Sequence, residues 1–157
     1  MRKNCSESGQ TLIEILIAIT LIVFVLTSLA SGLSLGVRNS RFSANASTAK
    51  DRITEAQEWV RSVENQAGWE SFYQMVSADN PPVTYCLTSL PTSVQEFDAL
   101  IGSNCLPSET IPNTVFSRAM TLTVVSPTAI DSLVTISWID SGKAQSVSTT
   151  TRLTQHE

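Results

Sequence analysis

The sequence predicts an α+β fold: a long N-terminal helix, its first half of transmembrane character and its second half amphipathic, packed on a small C-terminal antiparallel β-sheet. Two observations carry this. From Ile15 to Val37 the chain runs 23 residues without a charge, and apolar residues then continue at alternating steps of four and three. After Met120 the apolar pattern changes to period two, with a turn signal between two of the runs. Helical and strand periods in separate blocks are the mark of α+β rather than alternating α/β organisation.

The charge-free run comes first. At ~1.5 Å per helical residue it is long enough to cross a hydrocarbon layer of ~30 Å. A removed secretory signal is the competing reading, but such signals carry an apolar core of ~7–15 residues followed by the cleavage site. The length favours a retained span. Arg2 and Lys3 precede it, which puts the start of the chain in the cytoplasm, although Arg38 and Arg41 on the far side weaken that bias.

Beyond the run, Phe42, Ala46, Ala49, Ile53, Ala56, Val60 and Val63 form one stripe. Lys50, Asp51, Arg52, Glu55, Glu58, Arg61 and Glu64 lie mostly off it. No proline occurs between Thr11 and Asn80, so one helix is expected from about Thr11 to Gln66, with Gly68 and Pro81-Pro82 as stops. Ser31-Gly32-Leu33-Ser34-Leu35-Gly36 is a softer patch within it. Each interior Gly costs about 1 kcal/mol relative to Ala, so the patch serves either bending or close packing against a neighbouring span.

Between Ala78 and Pro112 five prolines and two cysteines point to irregular loop, with one short strand near Val83 to Leu87. Three period-two series then follow: Met120, Leu122 and Val124; Val134, Ile136 and Trp138; and Val147, Thr149, Thr151 and Leu153. Asp140-Ser141-Gly142-Lys143 joins the last two as a hairpin. Together they predict a small sheet laid on the amphipathic half of the helix. Trp59, Trp69 and Trp138 read as core before they read as a binding surface.

No catalytic constellation, cofactor motif or metal cluster emerges, and an enzyme is not expected. His156 is the single histidine and lies one residue from the end of the sequence, and the carboxylates are scattered. The formal net charge of −4 argues against nucleic acid as the main partner, because phosphate binding needs clustered Lys and Arg.

The most informative residue is Glu14, the one charge at the mouth of the apolar run. A carboxylate at the edge of a bilayer span is costly and marks function by default. The string Gly9-Gln10-Thr11-Leu12-Ile13-Glu14, behind Arg2 and Lys3, resembles the class III signal of the type IV pilin family. Glu55-Ala56-Gln57-Glu58-Trp59-Val60-Arg61, Trp69, and the closing Ile136-Ser137-Trp138 with Gly142-Lys143, Val147 and Thr151-Arg152-Leu153 are similar to the PilV-like minor pilins. Gln10, where many pilins begin with Phe or another apolar residue, and the absence of a proline inside the apolar half suit a minor pilin or pseudopilin better than a main subunit.

The resemblance implies a cleaved prepilin leader over residues 1–9 and a transmembrane and filament-core helix over 10–37. An amphipathic half-helix over 38–66 and an extracytoplasmic β-rich head over 67–157 follow. It further implies cleavage between Gly9 and Gln10 by a prepilin peptidase, N-methylation of Gln10, and an assembly-register role for Glu14 against the new α-amine of a neighbouring subunit. Cys5 then leaves with the leader, so that Cys86 and Cys105 remain as a pair in an oxidising compartment. A disulfide is favoured over two buried thiols. The implied partners are other pilin subunits, the peptidase, the inner-membrane pilus assembly machinery, and membrane lipid before assembly. The implied location is the inner membrane, with the head outside the cytoplasm, and then a filament that is extracellular or periplasmic. The expected function is that of a minor pilin. The alternatives are a pseudopilin of a type II secretion or DNA-uptake system and a single-pass anchored domain that binds a surface ligand.

Overall fold

The computed structural model describes residues 8–100, 102–106 and 108–155, with side chains from Leu12 onward. It falls into two compact units, one ending at Ser43 and one beginning at Ala44, and helix α1 (Ser8–Ala67) contributes residues to both. The second unit is α+β: the latter part of α1 packs on a four-stranded antiparallel sheet.

Packing in this unit starts from the α1 stripe. Ala49, Ile53, Ala56, Val60 and Val63 are all buried, and Ala46 packs partly against the same core. Residues spaced by four and three meet on one helical face, so this stripe presents a continuous apolar ridge to the sheet. Gly68 ends the helix. Its φ of 76° lies in the left-handed region, where a residue without Cβ is unstrained. Its N–H donates to the Glu64 carbonyl at 2.9 Å, and its carbonyl accepts from Phe72 N at 3.0 Å.

That second bond starts a helix the sequence pattern does not announce, α2 (Trp69–Ala78). Ten residues are too few to show a helical period clearly, but Phe72 and Val76, four apart, are its buried face. A second short helix, α3 (Val94–Asp98), interrupts the stretch expected to be irregular. Local capping chemistry makes it. Ser93 Oγ accepts from Glu96 N at 3.2 Å, while the Glu96 carboxylate accepts from Thr92 N at 2.6 Å and Thr92 Oγ1 at 3.0 Å. The Thr92 backbone N–H foremost, then its hydroxyl, holds the Glu96 carboxyl below its ordinary pKa.

Helix α3 delivers Phe97 to the core. Its ring lies 5.8 Å from Trp59 edge-on, 5.8 Å from Phe72 in a stack and 5.7 Å from Tyr85. Trp59 and Trp69 are partly buried, and each uses its indole N–H to hold a loop: Trp59 donates to the Pro91 carbonyl at 2.7 Å and Trp69 to the Pro127 carbonyl at 2.9 Å. Trp138 is buried, edge-on to Phe116 at 5.7 Å.

The sheet is a meander of β1 (Val83–Cys86), β2 (Ser117–Ser126), β3 (Ala129–Asp140) and β4 (Lys143–Thr154) in that spatial order, all antiparallel. The expected short strand is thus β1, and the three period-two series are β2, β3 and β4. Ser141 and Gly142, with φ of 50° and 75°, form the two-residue turn between β3 and β4 that type I′ geometry requires. Inward go Tyr85, Met120, Leu122, Ile130, Val134, Ile136, Trp138 and Leu153, all buried. Outward go mostly hydroxyls, and Thr84 and Thr121 share one bond at 2.8 Å across the β1–β2 pair. Asp131 and Arg152 supply a forked ion pair there at 2.7 and 2.9 Å, which lowers the Asp131 carboxyl pKa.

Two buried inward positions are polar, Ser132 on β3 and Arg118 on β2. The alternation that turns Met120 and Leu122 inward turns Arg118 inward too, and it is buried. Its Nε donates to the Leu87 carbonyl and its Nη1 to Glu55 Oε2 on α1, both at 3.2 Å, tying the sheet to the helix. Burial pulls the guanidinium pKa down, and Glu55 opposes the shift.

Cys86 and Cys105 are bonded, with Cα atoms 5.3 Å apart and 19 residues of sequence separation. The bond ties the end of β1 to the far end of the loop that carries α3.

Two outcomes follow from this core. Phe97→Ala should cost about 3–5 kcal/mol, as for other buried phenylalanines, in urea unfolding followed by tryptophan fluorescence. A cost below about 1 kcal/mol would mean that α3 is not anchored as described. Closing a loop of this length should contribute about 3 kcal/mol in the chain-entropy model. Reduction should therefore lower the urea midpoint, and denatured, unreduced Cys5→Ser protein from an oxidising export route should show no free thiol. Two reactive thiols per chain would contradict the bond.

Candidate membrane and assembly segment

In α1, every side chain from Leu12 to Ala44 is exposed. The large apolar residues from Leu12 to Val37 each leave half or more of their surface open, up to 72 % at Phe24. A soluble surface rarely carries a continuous apolar area of this size, so it belongs in lipid or against other apolar helices. Among the described residues this is one helix long and apolar enough to cross a membrane.

The hydroxyls along it are already bonded. Thr20 Oγ1 donates to the Ile17 carbonyl at 2.8 Å, Thr27 Oγ1 to the Val23 and Phe24 carbonyls at 3.0 and 2.9 Å, and Ser28 Oγ to the Phe24 carbonyl at 2.8 Å. Ser31 Oγ and Ser34 Oγ reach back four residues, to Thr27 and Ala30. Back-bonding of this kind satisfies a polar group where water is absent and loosens the helix slightly. Sequence pattern singles out the Ser31–Gly36 patch but not Thr20, Thr27 and Ser28; their signal is simply that each has a carbonyl one turn back. A Cβ placed on Gly32 or Gly36 would meet nothing within 4 Å, so no contact within this chain requires glycine there.

Glu14 sits on α1 with its side chain exposed, the one charge between Leu12 and Val37. Gly9 and Gln10 lie in the first turns of the same helix, Gln10 four residues before Glu14. Their side-chain positions lie outside the described residues, as do Arg2, Lys3, Cys5 and His156. The structure brings Cys86 and Cys105 together, in the other unit.

Chemically, the segment offers two things: an apolar surface on all sides, and one anionic group near its start. Such a surface makes dispersion contacts with lipid and with another helix alike, so it does not by itself choose between them. The carboxylate favours a surrounding that supplies a cation.

Residues 4–30 match the family model of the prokaryotic N-terminal methylation motif, a prepilin-type signal. No curated protein and no solved structure gave a match to the chain. The matched residues include Gly9, Gln10 and Glu14 and most of the exposed apolar run. A prepilin-type methylation motif on a membrane-length apolar helix, in a chain with a long helix packed on a small antiparallel sheet, supports a type IV pilin-like protein.

Proposed function

We propose that this chain is a minor subunit of a type IV pilus, polymerised through the apolar part of α1. Prepilin peptidase removes residues 1–9 by cutting between Gly9 and Gln10, and Gln10 becomes the methylated N-terminus. Residues 10–37 hold the subunit in the inner membrane and then in the filament core. Residues 38–66 form the amphipathic half-helix, which with residues 67–157 makes up the part outside the cytoplasm. The observation that carries this reading is the coincidence of the methylation motif with an exposed apolar segment, Leu12 to Val37, whose single charge is Glu14.

The chemistry gives Glu14 its role. Cleavage exposes an α-amine at Gln10 with a pKa of ~8, so it is cationic at neutral pH. Once both groups leave the headgroup layer, each needs an opposite charge. A register that pairs Glu14 with a neighbour's α-amine satisfies both. Leaving one partner of such a buried pair alone costs about 3–5 kcal/mol, which penalises every other register.

Mass spectrometry of the membrane-extracted protein should show a chain starting at Gln10, with the added mass of one methyl group. A start beyond Ala30 would mean a removed secretory signal and would end the pilin reading.

Glu14→Ala should leave cleavage and membrane insertion intact while lowering recovery in sheared filaments by roughly a hundredfold, the lower end of what loss of a buried pair implies. The comparison needs wild type and variant at equal membrane levels, with the other subunits present. Equal amounts in the filament fraction would show that Glu14 sets no register.

A further inference from the structure

Arg38 and Arg41 close the apolar segment of α1, and no carboxylate in its sequence neighbourhood balances them. Between Glu14 and Asp51 the charges are Arg38, Arg41 and Lys50, all cations. Both arginine side chains are exposed, and the ion pairs among the described residues, made by Glu55 and Asp131, involve neither of them. Three residues apart on one helix, the two are surface neighbours. Basic residues beside a span concentrate on its cytoplasmic side. In the proposed orientation these two lie on the opposite side, where they need an anion.

We propose that Arg38 and Arg41 hold the phosphate of an anionic phospholipid in the leaflet far from Glu14. Axial distance and charge select this partner. Arg38 lies 24 residues and Arg41 27 residues after Glu14, roughly 36 and 40 Å along the helix at ~1.5 Å per residue. The hydrocarbon layer is ~30 Å thick, and ~40–45 Å with its two headgroup layers. With Glu14 in one headgroup layer, both guanidinium groups stand among the phosphates of the other. A guanidinium fork fits two phosphate oxygens at once. A zwitterionic lipid brings its own cation to that phosphate, whereas phosphatidylglycerol leaves it to the protein. An adjacent helix offers no substitute. In the four-residue offset that pairs Glu14 with a neighbour's α-amine, Arg38 stands level with Ser34 or Phe42, and Arg41 with Val37 or Asn45. None of these is an anion. The proposal rests on the membrane-anchored part of the functional reading.

The test uses the full chain with Arg2→Gln and Lys3→Gln, which silences the basic start of the sequence, reconstituted in phosphatidylcholine vesicles. Spin-labelled phosphatidylglycerol or spin-labelled phosphatidylcholine is added at trace level, and electron paramagnetic resonance reads the fraction of each held at the protein. Phosphatidylglycerol should be favoured by roughly fivefold, the scale of one cation at an anionic surface. Arg38→Gln with Arg41→Gln should bring that ratio to one. Arg61→Gln, on the part of α1 that packs on the sheet, should leave it unchanged. Equal retention of the two lipids with Arg38 and Arg41 in place would overturn the proposal and leave a protein carboxylate as their partner. A preference that survives the double substitution would overturn it too. Protein that stays out of the vesicles would overturn the anchor reading and this proposal together, so the two failures are told apart.

Discussion

The α1 stripe from Ala49 to Val63 cannot stay in water, and no single neighbour can cover it. The inner face of the sheet supplies Met120, Leu122, Val134 and Ile136, α2 supplies Phe72 and Val76, and α3 supplies Phe97. Each fully buried Val, Ile or Phe contributes about 1.5–3 kcal/mol. Fixing each backbone residue costs ~1–2 kcal/mol, so no one of these elements holds its shape alone. The stripe is therefore the shared surface on which separately unstable pieces become one structure. Alanine at 49 and 56, both fully buried, keeps the ridge low.

Arg118 shows how this core tolerates a cation. It sits at the end of the inward row, where Glu55, about half exposed, reaches in from the rim of α1 and Leu87 offers a carbonyl. Arg52 shares the same Glu55 oxygen at 3.2 Å. A fully buried ion pair gains little, because desolvation cancels the attraction. Here the anion keeps its contact with water, so the cost falls on one partner rather than two. The pair serves register: it matches one turn of α1 to one position on β2.

Long periodic signals were the legible part of the fold. The stripe from Ala46 to Val63 and the alternation in β2, β3 and β4 span enough residues for their periods to be read, and the Ser141-Gly142 turn has chemistry of its own. Helices α2 and α3 were not legible, for two reasons. Ten and five residues give too little period, and α3 depends on Thr92, Ser93 and Glu96 closing a cap amid prolines that signal loop. The Ser-x-x-Glu spacing was there to be seen; that Phe97 had a cavity to fill was not. Arg118 was readable by parity alone, but its partner Glu55 lies 63 residues earlier, and no local pattern links them. For the apolar segment the balance is reversed. Glu14, Gln10 and Gly9 stand out in sequence because a charge beside 23 uncharged residues is a local contrast.

The back-bonded hydroxyls of Thr20, Thr27, Ser28, Ser31 and Ser34 have a consequence for the transfer of α1 from one surrounding to another. Each carries its acceptor with it, on the preceding turn of its own helix. None has to give up a partner in lipid or find a new one in protein. The hydrogen-bond ledger of the segment is closed before it moves, and stays closed afterwards. What remains to tell the two media apart is packing and the single carboxylate, so the helix can be fully solvated by hydrocarbon and still be free to leave it.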